Sequence, residues 1–367
     1  MTRKLLLMGC LLIACLAATA QVNYNVVIKT APKCDMAYLF NVENRTLIDS
    51  IAPNADGDLI FKGKTEDSVI ACVSRTPSSQ GALLFFVLDG EKFTMQMEEG
   101  NQHTLVEGSQ ANKKMEAGYQ KLIEYTLRFR KLSDEYGKHR EKYGEDIPNQ
   151  IMKRLDAEYD AIEEGKSKTY WDILKDNKDN IVPVYYITRF AREIGYDKVD
   201  EYLKDYPFAQ RESLKPIHKA LVGEAKKAVG VKVTELTMKD LNDKEVHLTD
   251  WVGRGQYVLV DFWASWCGPC RAEMPNVKAA YEKYHPKGFE IVGVSFDNKK
   301  EAWQKAVTEL GITWPQMSDL KGWQCAASDI YNIKSIPATI LFDPEGKIIA
   351  TDLRGEALEK KLAKVIK

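Results

Sequence analysis

The stretch YVLVDFWASWCGPCRAEMP, Tyr257 to Pro275, decides how the C-terminal part of the chain reads. Its first half, Tyr257 to Trp263, is an apolar run interrupted only by Asp261. That is the pattern of a buried, parallel, central strand. The run leads into Trp266-Cys267-Gly268-Pro269-Cys270, and Arg271, Ala272, Glu273 and Met274 continue as a helix. Pro269 suits the first helical turn, where no backbone N–H is needed. Cys267 then lies near a helix N-terminus, where unpaired N–H groups and the helix dipole favour a thiolate. Cys270 is one turn deeper and can attack a mixed disulfide held on Cys267.

Two thiols at this spacing serve redox, metal or haem chemistry. A zinc site needs two more ligands, and no second CxxC or HxxxH supplies them. Haem attachment needs His after the second Cys, where Arg271 stands. A purely structural disulfide leaves the strand, the Gly-Pro pair and the helix without a reason. Dithiol redox chemistry explains all three, with no metal and no cofactor.

VDFWASWCGPC resembles the active-site strand and motif of thioredoxin-like proteins, and the residues after it are similar to the exported TlpA/ResA-like thiol–disulfide oxidoreductases. The likeness covers roughly 229–367, and it implies an α/β thioredoxin-like fold. It also implies roles. Cys267 is the nucleophile, the more exposed and more acidic thiol, and Cys270 resolves the mixed disulfide, so that Cys267–Cys270 is the redox-active disulfide. Gly268-Pro269 matches the reducing type of middle dipeptide. Asp261 matches a buried acid beneath the thiols, where burial raises its pKa and it can take the proton of Cys270; its alternative is a solvated charge at a strand end. Glu273 matches an acid that modulates the pair, or is an ordinary acid of the first helical turns. Pro337 matches a cis-proline packed on the CxxC, with the backbone of Ile336 pairing with substrate. Trp266, Gly268, Pro269 and Ile336 would line the substrate groove, and Trp263 would pack inside. Pro275 would kink the helix.

Around this segment the strands and helices alternate. A leading hairpin at Val233–Leu248, strands at Phe289–Phe296, Ser335–Phe342 and Lys347–Thr351, a helix at Lys299–Leu310 and a C-terminal helix predict an α/β sheet.

The rest of the chain reads differently. From Asn23 to Val106, eight short strand-like runs are separated by turns such as Asn54-Ala55-Asp56-Gly57 and Asp89-Gly90, which predicts an all-β sandwich or small barrel. This part resembles the β domain of uncharacterised role that precedes exported thioredoxin-like domains. From Ala111 to Lys227 apolar residues recur at helical spacing: Leu122, Tyr125, Phe129, Leu132 and Tyr136, then Ile151, Leu155, Tyr159 and Ile162. These stripes are assigned to packing. The expected organisation is multidomain: a signal peptide at 1–20, a β-sandwich-like domain at 21–110, a helical segment at 111–228 and the thioredoxin-like domain at 229–367.

The chain has 367 residues, a formal net charge of −1 and 44% hydrophobic residues, an ordinary globular balance with no basic surplus for nucleic acid. Thr2-Arg3-Lys4, an apolar run from Leu5 to Ala18 and Ala18-Thr19-Ala20 form a secretory signal, too short to span a bilayer comfortably. Leu12-Ile13-Ala14-Cys15 also resembles a lipobox, which would make Cys15 a lipidated N-terminus. Either way the protein is exported to the periplasm or cell envelope, with no later membrane span. Of the seven cysteines, discounting Cys10 and Cys15 leaves Cys34, Cys72, Cys267, Cys270 and Cys325, an odd number. Cys34 and Cys72 could pair or stay free, and Cys325 reads as a buried, inert thiol or as a third redox thiol.

The function expected is that of an exported disulfide reductase. Its partners would be disulfide-containing exported proteins or cytochrome-maturation thiols, recharged by a membrane thiol reductant. The alternatives are a thiol peroxidase of the AhpC/TSA type, for which Val260 and Ala264 stand where the peroxidatic motif has Pro and Thr/Ser, and a non-enzymatic binding protein acting through its N-terminal domains.

Overall fold

The computed structural model describes residues 21–29, 34–97, 103–144 and 146–367. The expected leader, with Cys10 and Cys15, lies outside the described residues. The chain divides into two compact units that meet between Leu214 and Lys215.

The first unit opens with strands. β1 (Val22–Lys29) buries Tyr24, Val26 and Ile28 and leaves the residues between them more open, the period of a half-buried strand. β2 (Ala37–Asn41), β3 (Leu47–Ile51), β4 (Leu59–Thr65), β5 (Val69–Ser74), β6 (Ala82–Leu88), β7 (Lys92–Met97) and β8 (His103–Glu107) follow. They form two four-stranded sheets, ordered β4-β1-β7-β8 and β3-β2-β5-β6. All neighbours are antiparallel except β1 and β7. Val26, Ile28, Leu39, Phe61, Val73, Phe86 and Phe93 share one core between the sheets, which makes this part a β-sandwich.

β5 is buried on both faces. Val69, Ala71 and Val73 enter the sandwich core, so Cys72 points the other way. Cys34 packs against the sandwich core. The two thiols therefore lie on opposite sides of the sheet, and the bridge left open by the sequence is absent: both are free.

α1 (Gln110–Tyr143) begins at Ser109, whose Oγ accepts the Asn112 N–H at 3.2 Å. Asn112 then reaches the edge strand β6. Its Oδ1 accepts the Val87 N–H at 2.7 Å and its Nδ2 donates to the Val87 carbonyl at 2.8 Å. One side chain thus supplies the ladder partner that an edge strand lacks. α1 packs along α2 (Asn149–Asp176), and α3 (Val182–Ile194) and α4 (Tyr196–Leu203) complete the helical part. Buried tyrosines here are spent on structure: Tyr202 Oη donates to the Leu174 carbonyl at 2.8 Å and Tyr206 Oη to that of Asn180 at 2.7 Å.

The packing role expected of the two apolar stripes holds only along one seam. Leu132, Leu155 and Ile162 are buried, flanked by Tyr125, Ile151 and Met152, whereas Phe129, Tyr136 and Tyr159 are exposed. A pair of helices buries only the residues between them: Phe129 and Tyr159 meet ring to ring across the pair, with centroids 6.2 Å apart, yet keep much of their surface in water.

The second unit starts with α5 (Lys215–Lys227), which packs on α8 (Ala326–Ile330). A Cβ added at Gly223 would come within 2.8 Å of the Asn332 Cβ, and Asn332 Nδ2 donates to Glu224 at 2.8 Å. β9 (Thr237–Lys239) and β10 (Glu245–His247) form the leading hairpin. The main sheet runs β13-β12-β11-β14-β15. It comprises β11 (Tyr257–Trp263), β12 (Phe289–Ser295), β13 (Gln316–Met317), β14 (Ala338–Phe342) and β15 (Ile348–Thr351). α6 (Gly268–Tyr284), α7 (Lys300–Glu309) and α9 (Gly355–Val365) are its other helices.

β11 is central, but it is parallel only to β12 and antiparallel to β14, which corrects the expectation of a parallel strand. From β13 the chain passes through α8 and enters β14 against the direction of β11, and the β14–β15 hairpin then completes the sheet. Pro337 stands just before β14, not in it, so its missing N–H costs the ladder nothing. This is the thioredoxin-like α/β domain implied by the motif, behind a β-sandwich and a helical segment.

Candidate active site

β11 ends at Trp263, and Ser265 and Trp266 carry the chain to Cys267, the N-cap of α6. Cys267 and Cys270 form a disulfide, with Cα atoms 5.3 Å apart. Pro269 occupies the first helical turn, as its ring permits. The Cys270 N–H points at Cys267 Sγ over 3.1 Å, so a helix-terminal donor already addresses the sulfur that would carry charge once reduced. Cys267 Sγ lies 3.8 Å from the Ile336 carbonyl oxygen, and the Ile336–Pro337 peptide is cis.

Exposure does not separate the two sulfurs as expected: Cys267 is 4% and Cys270 2% exposed. What separates them is position. Cys267 has the helix-terminal donor and the Ile336 carbonyl, while Cys270 lies inside the helix. Trp266, Gly268 and Pro269 form the open rim above them.

Asp261 is buried in β11, in register with Gly293 on one side and Thr339 on the other. Burial, reinforced by the charge of Glu273 and opposed by that of Arg354, pushes its carboxyl up to about 7. The solvated alternative for Asp261 is thereby excluded. Glu273 does not reach the sulfurs through a hydrogen bond. Its Oε1 accepts the Gly355 N–H at 2.6 Å and its Oε2 the Asn276 amide at 3.1 Å, so it fastens the start of α9 to α6. Arg354, beside that cap, donates to the Pro337 carbonyl. Trp263 packs inside, with Nε1 donating to Gln316 Oε1 at 3.0 Å.

Residues 229–351 match the AhpC/TSA family, and residues 22–115 match DUF4369, a domain of unknown function. The thiol–disulfide oxidoreductase ResA of Bacillus thuringiensis subsp. konkukian is 31% identical over 144 residues, which span 39% of this chain and 80% of that protein. The chain belongs to the ResA-type thiol–disulfide oxidoreductases. The ResA of Oceanobacillus iheyensis is 36% identical over 110 residues, 30% of this chain and 55% of that one. The crystal structure of the thioredoxin domain of a thiol–disulfide oxidoreductase from Bacteroides vulgatus is 39% identical, covering 38% of this chain and 99% of that one, with a TM-score of 0.36. The activity is thiol–disulfide exchange, and Cys267–Cys270 is the one disulfide among the described residues.

Four residues of this ResA-type site escape a reading of the sequence. Asp297, buried just past β12, accepts the Ser265 N–H at 2.9 Å, the Ser265 hydroxyl at 2.5 Å and the Ser295 hydroxyl at 2.7 Å. Trp323 comes within 6.1 Å of the Trp266 ring, centroid to centroid. Arg354 and Ser265 complete the set. The one available signal was Asp297 itself, an acid closing the apolar run Phe289–Phe296 much as Asp261 interrupts its own. Cys325 is fully buried, and desolvation pushes its thiol up to about 12, which fits the inert reading.

Proposed function

We propose that this protein is an exported disulfide reductase in which Cys267 attacks and Cys270 resolves. The observation that carries the reading is the Cys270 N–H aimed at Cys267 Sγ at the N-terminus of α6. In the reduced enzyme that donor and the helix dipole stabilise the Cys267 thiolate. The thiolate attacks one sulfur of a substrate disulfide, forming a mixed disulfide and expelling the other sulfur as a thiolate. Asp261, with a pKa near neutrality, takes the Cys270 proton. The Cys270 thiolate then attacks Cys267 Sγ, closing the pair and releasing the second substrate sulfur. Two electrons have passed to the substrate, its two thiolates take up protons from Asp261 and from solvent, and a dithiol donor must return the electrons.

In this reading Ile336 and the cis peptide before Pro337 offer backbone to the substrate beside Cys267, Trp266, Gly268 and Pro269 line the groove, and Glu273 tunes Asp261 through its charge. The substrates are disulfide-bearing exported proteins or cytochrome-maturation thiols, and the donor is a membrane thiol reductant. Export rests on the leader-like sequence at 1–20, with lipidation at Cys15 as its variant. Among the described residues no helix is long and apolar enough to cross a membrane.

A redox titration of the Cys267–Cys270 pair, followed by thiol labelling, tests the direction. A midpoint at or below about −230 mV supports a reductase, and one above about −150 mV makes the protein an oxidant or isomerase. Full disulfide-reducing activity in Cys267→Ser would remove Cys267 from the chemistry. The AhpC/TSA match on 229–351 keeps a thiol peroxidase as the second reading. Rapid peroxide consumption that needs Cys267 and not Cys270 would favour it.

A further inference from the structure

The rim of the disulfide carries two tryptophans that folding leaves in water. Trp266 is 53% and Trp323 47% exposed, and their ring centroids are 6.1 Å apart at 56°. Exposed indole is surface that the fold has not used, and a pair of them beside a reactive sulfur is a contact in waiting. Trp323 is anchored, and Trp266 leans on it. Trp323 stands edge-on against the buried Phe296 at 5.2 Å, and two residues later Cys325 is fully buried. The turn before it uses Gly322 at φ +55, a conformation that favours glycine.

Both turns are tied to one residue. The Asp297 carboxylate holds the N–H and hydroxyl of Ser265, immediately before Trp266, and the Asp297 carbonyl accepts the Gly322 N–H at 3.4 Å, immediately before Trp323. Asp297 itself is 1% exposed, and its second donor hydroxyl, Ser295, is fully buried. The backbone that carries the two rings is therefore fixed before any partner arrives, which lowers the entropic cost of using them.

We propose that Trp266 and Trp323 form a docking platform, positioned by Asp297, for an apolar or aromatic side chain adjacent to the reacting cysteine of an extended polypeptide substrate. The occupant is argued from continuity. Trp266 is bonded to Cys267, and the Ile336 carbonyl lies 3.8 Å from the Cys267 sulfur, so a chain whose sulfur meets Cys267 lays its neighbouring side chain on the rings. An aromatic pair selects by apolar area and shape and carries no charge to select by. This inference rests on the exchange with protein disulfides proposed above and adds which sequences are preferred.

The test uses the full-length protein and two disulfide-bonded peptides that differ only in having Phe or Ser beside the cysteine. The wild type is expected to prefer the Phe peptide about tenfold in kcat/KM, mostly through KM. Trp323→Ala is expected to bring that ratio close to one. Trp323→Leu, which keeps apolar bulk next to Phe296, should retain an intermediate preference, and Asp297→Asn should lower it while both rings remain. Equal rates for the two peptides in the wild type, or an undiminished ratio in Trp323→Ala, would overturn the platform. A shifted midpoint of the Cys267–Cys270 pair in Trp323→Ala would also overturn it, since the ring would then act on the dithiol. If the wild type exchanges with neither peptide, the failure belongs to the protein-disulfide reading on which the platform rests.

Discussion

Asp261 keeps a carboxyl in a strand shielded from water, and that has a measurable cost. Its folded-state pKa of about 7 lies above the usual carboxylate value, so the native state binds the proton more tightly than the unfolded chain does. Stability contributed by this group is therefore lost as pH rises from about 4 to about 7, and the loss is complete above that window. Asp261→Asn removes the charge and should be more stable than the wild type at pH 8, by up to about 4 kcal/mol, with the gap closing toward pH 4. Urea unfolding at several pH values checks this, and equal stability across the range would deny that the group is buried and charged at high pH. The same variant should slow release of a mixed disulfide from Cys267, because Cys270 loses the group that takes its proton. Arg354 moderates the effect, since its charge opposes the rise while its side chain holds the Pro337 carbonyl.

Individual elements show which contacts the sequence announces and which it conceals. Asn112 belongs to a helix by spacing, yet its amide works as a strand partner for Val87. Asn112→Ala leaves a buried N–H and carbonyl unpaired and should cost about 3 kcal/mol in denaturant unfolding. A loss within a few tenths would mean water replaces the amide. The CxxC helix and the strand before it were legible because local chemistry dictates each, a proline in a first turn and an apolar run, and the β14 approach was legible through Ile336-Pro337 and the family resemblance that marked it. Asp297, Trp323 and Arg354 were not, since each acts on a segment far along the chain and nothing in its neighbours marks the contact. β13 was missed for a related reason, being two residues long with its pairing supplied by β12. The Cys34 and Cys72 question needed the faces of β5, which parity alone does not assign to inside or outside when both sides are covered.

For the molecule as a whole, the compact unit that holds the disulfide runs from Lys215, and we propose that α5 belongs to the redox unit's stability. From the sequence the thioredoxin-like domain is expected to begin at 229; α5, ahead of that point, packs on α8 and sets Gly223 against Asn332. A fragment of residues 215–367 should melt higher than one of 229–367, and equal melting temperatures would make α5 a passenger. Cohesion is also uneven within the first unit. α1 has 34 residues, a rod of about 50 Å; near its start Gly118 lies tight against Ile173 of α2, whereas further along Leu132, Leu155 and Ile162 are buried beside the half-exposed Phe129–Tyr159 pair. That thinly covered end opens more easily than a sandwich closed over Val26, Phe61 and Phe86. Amide protons near Leu132 should accordingly trade with deuterated solvent by local fraying, at rates insensitive to whatever unfolds the sandwich, and the helix pair would register as a separate, softer cooperative block.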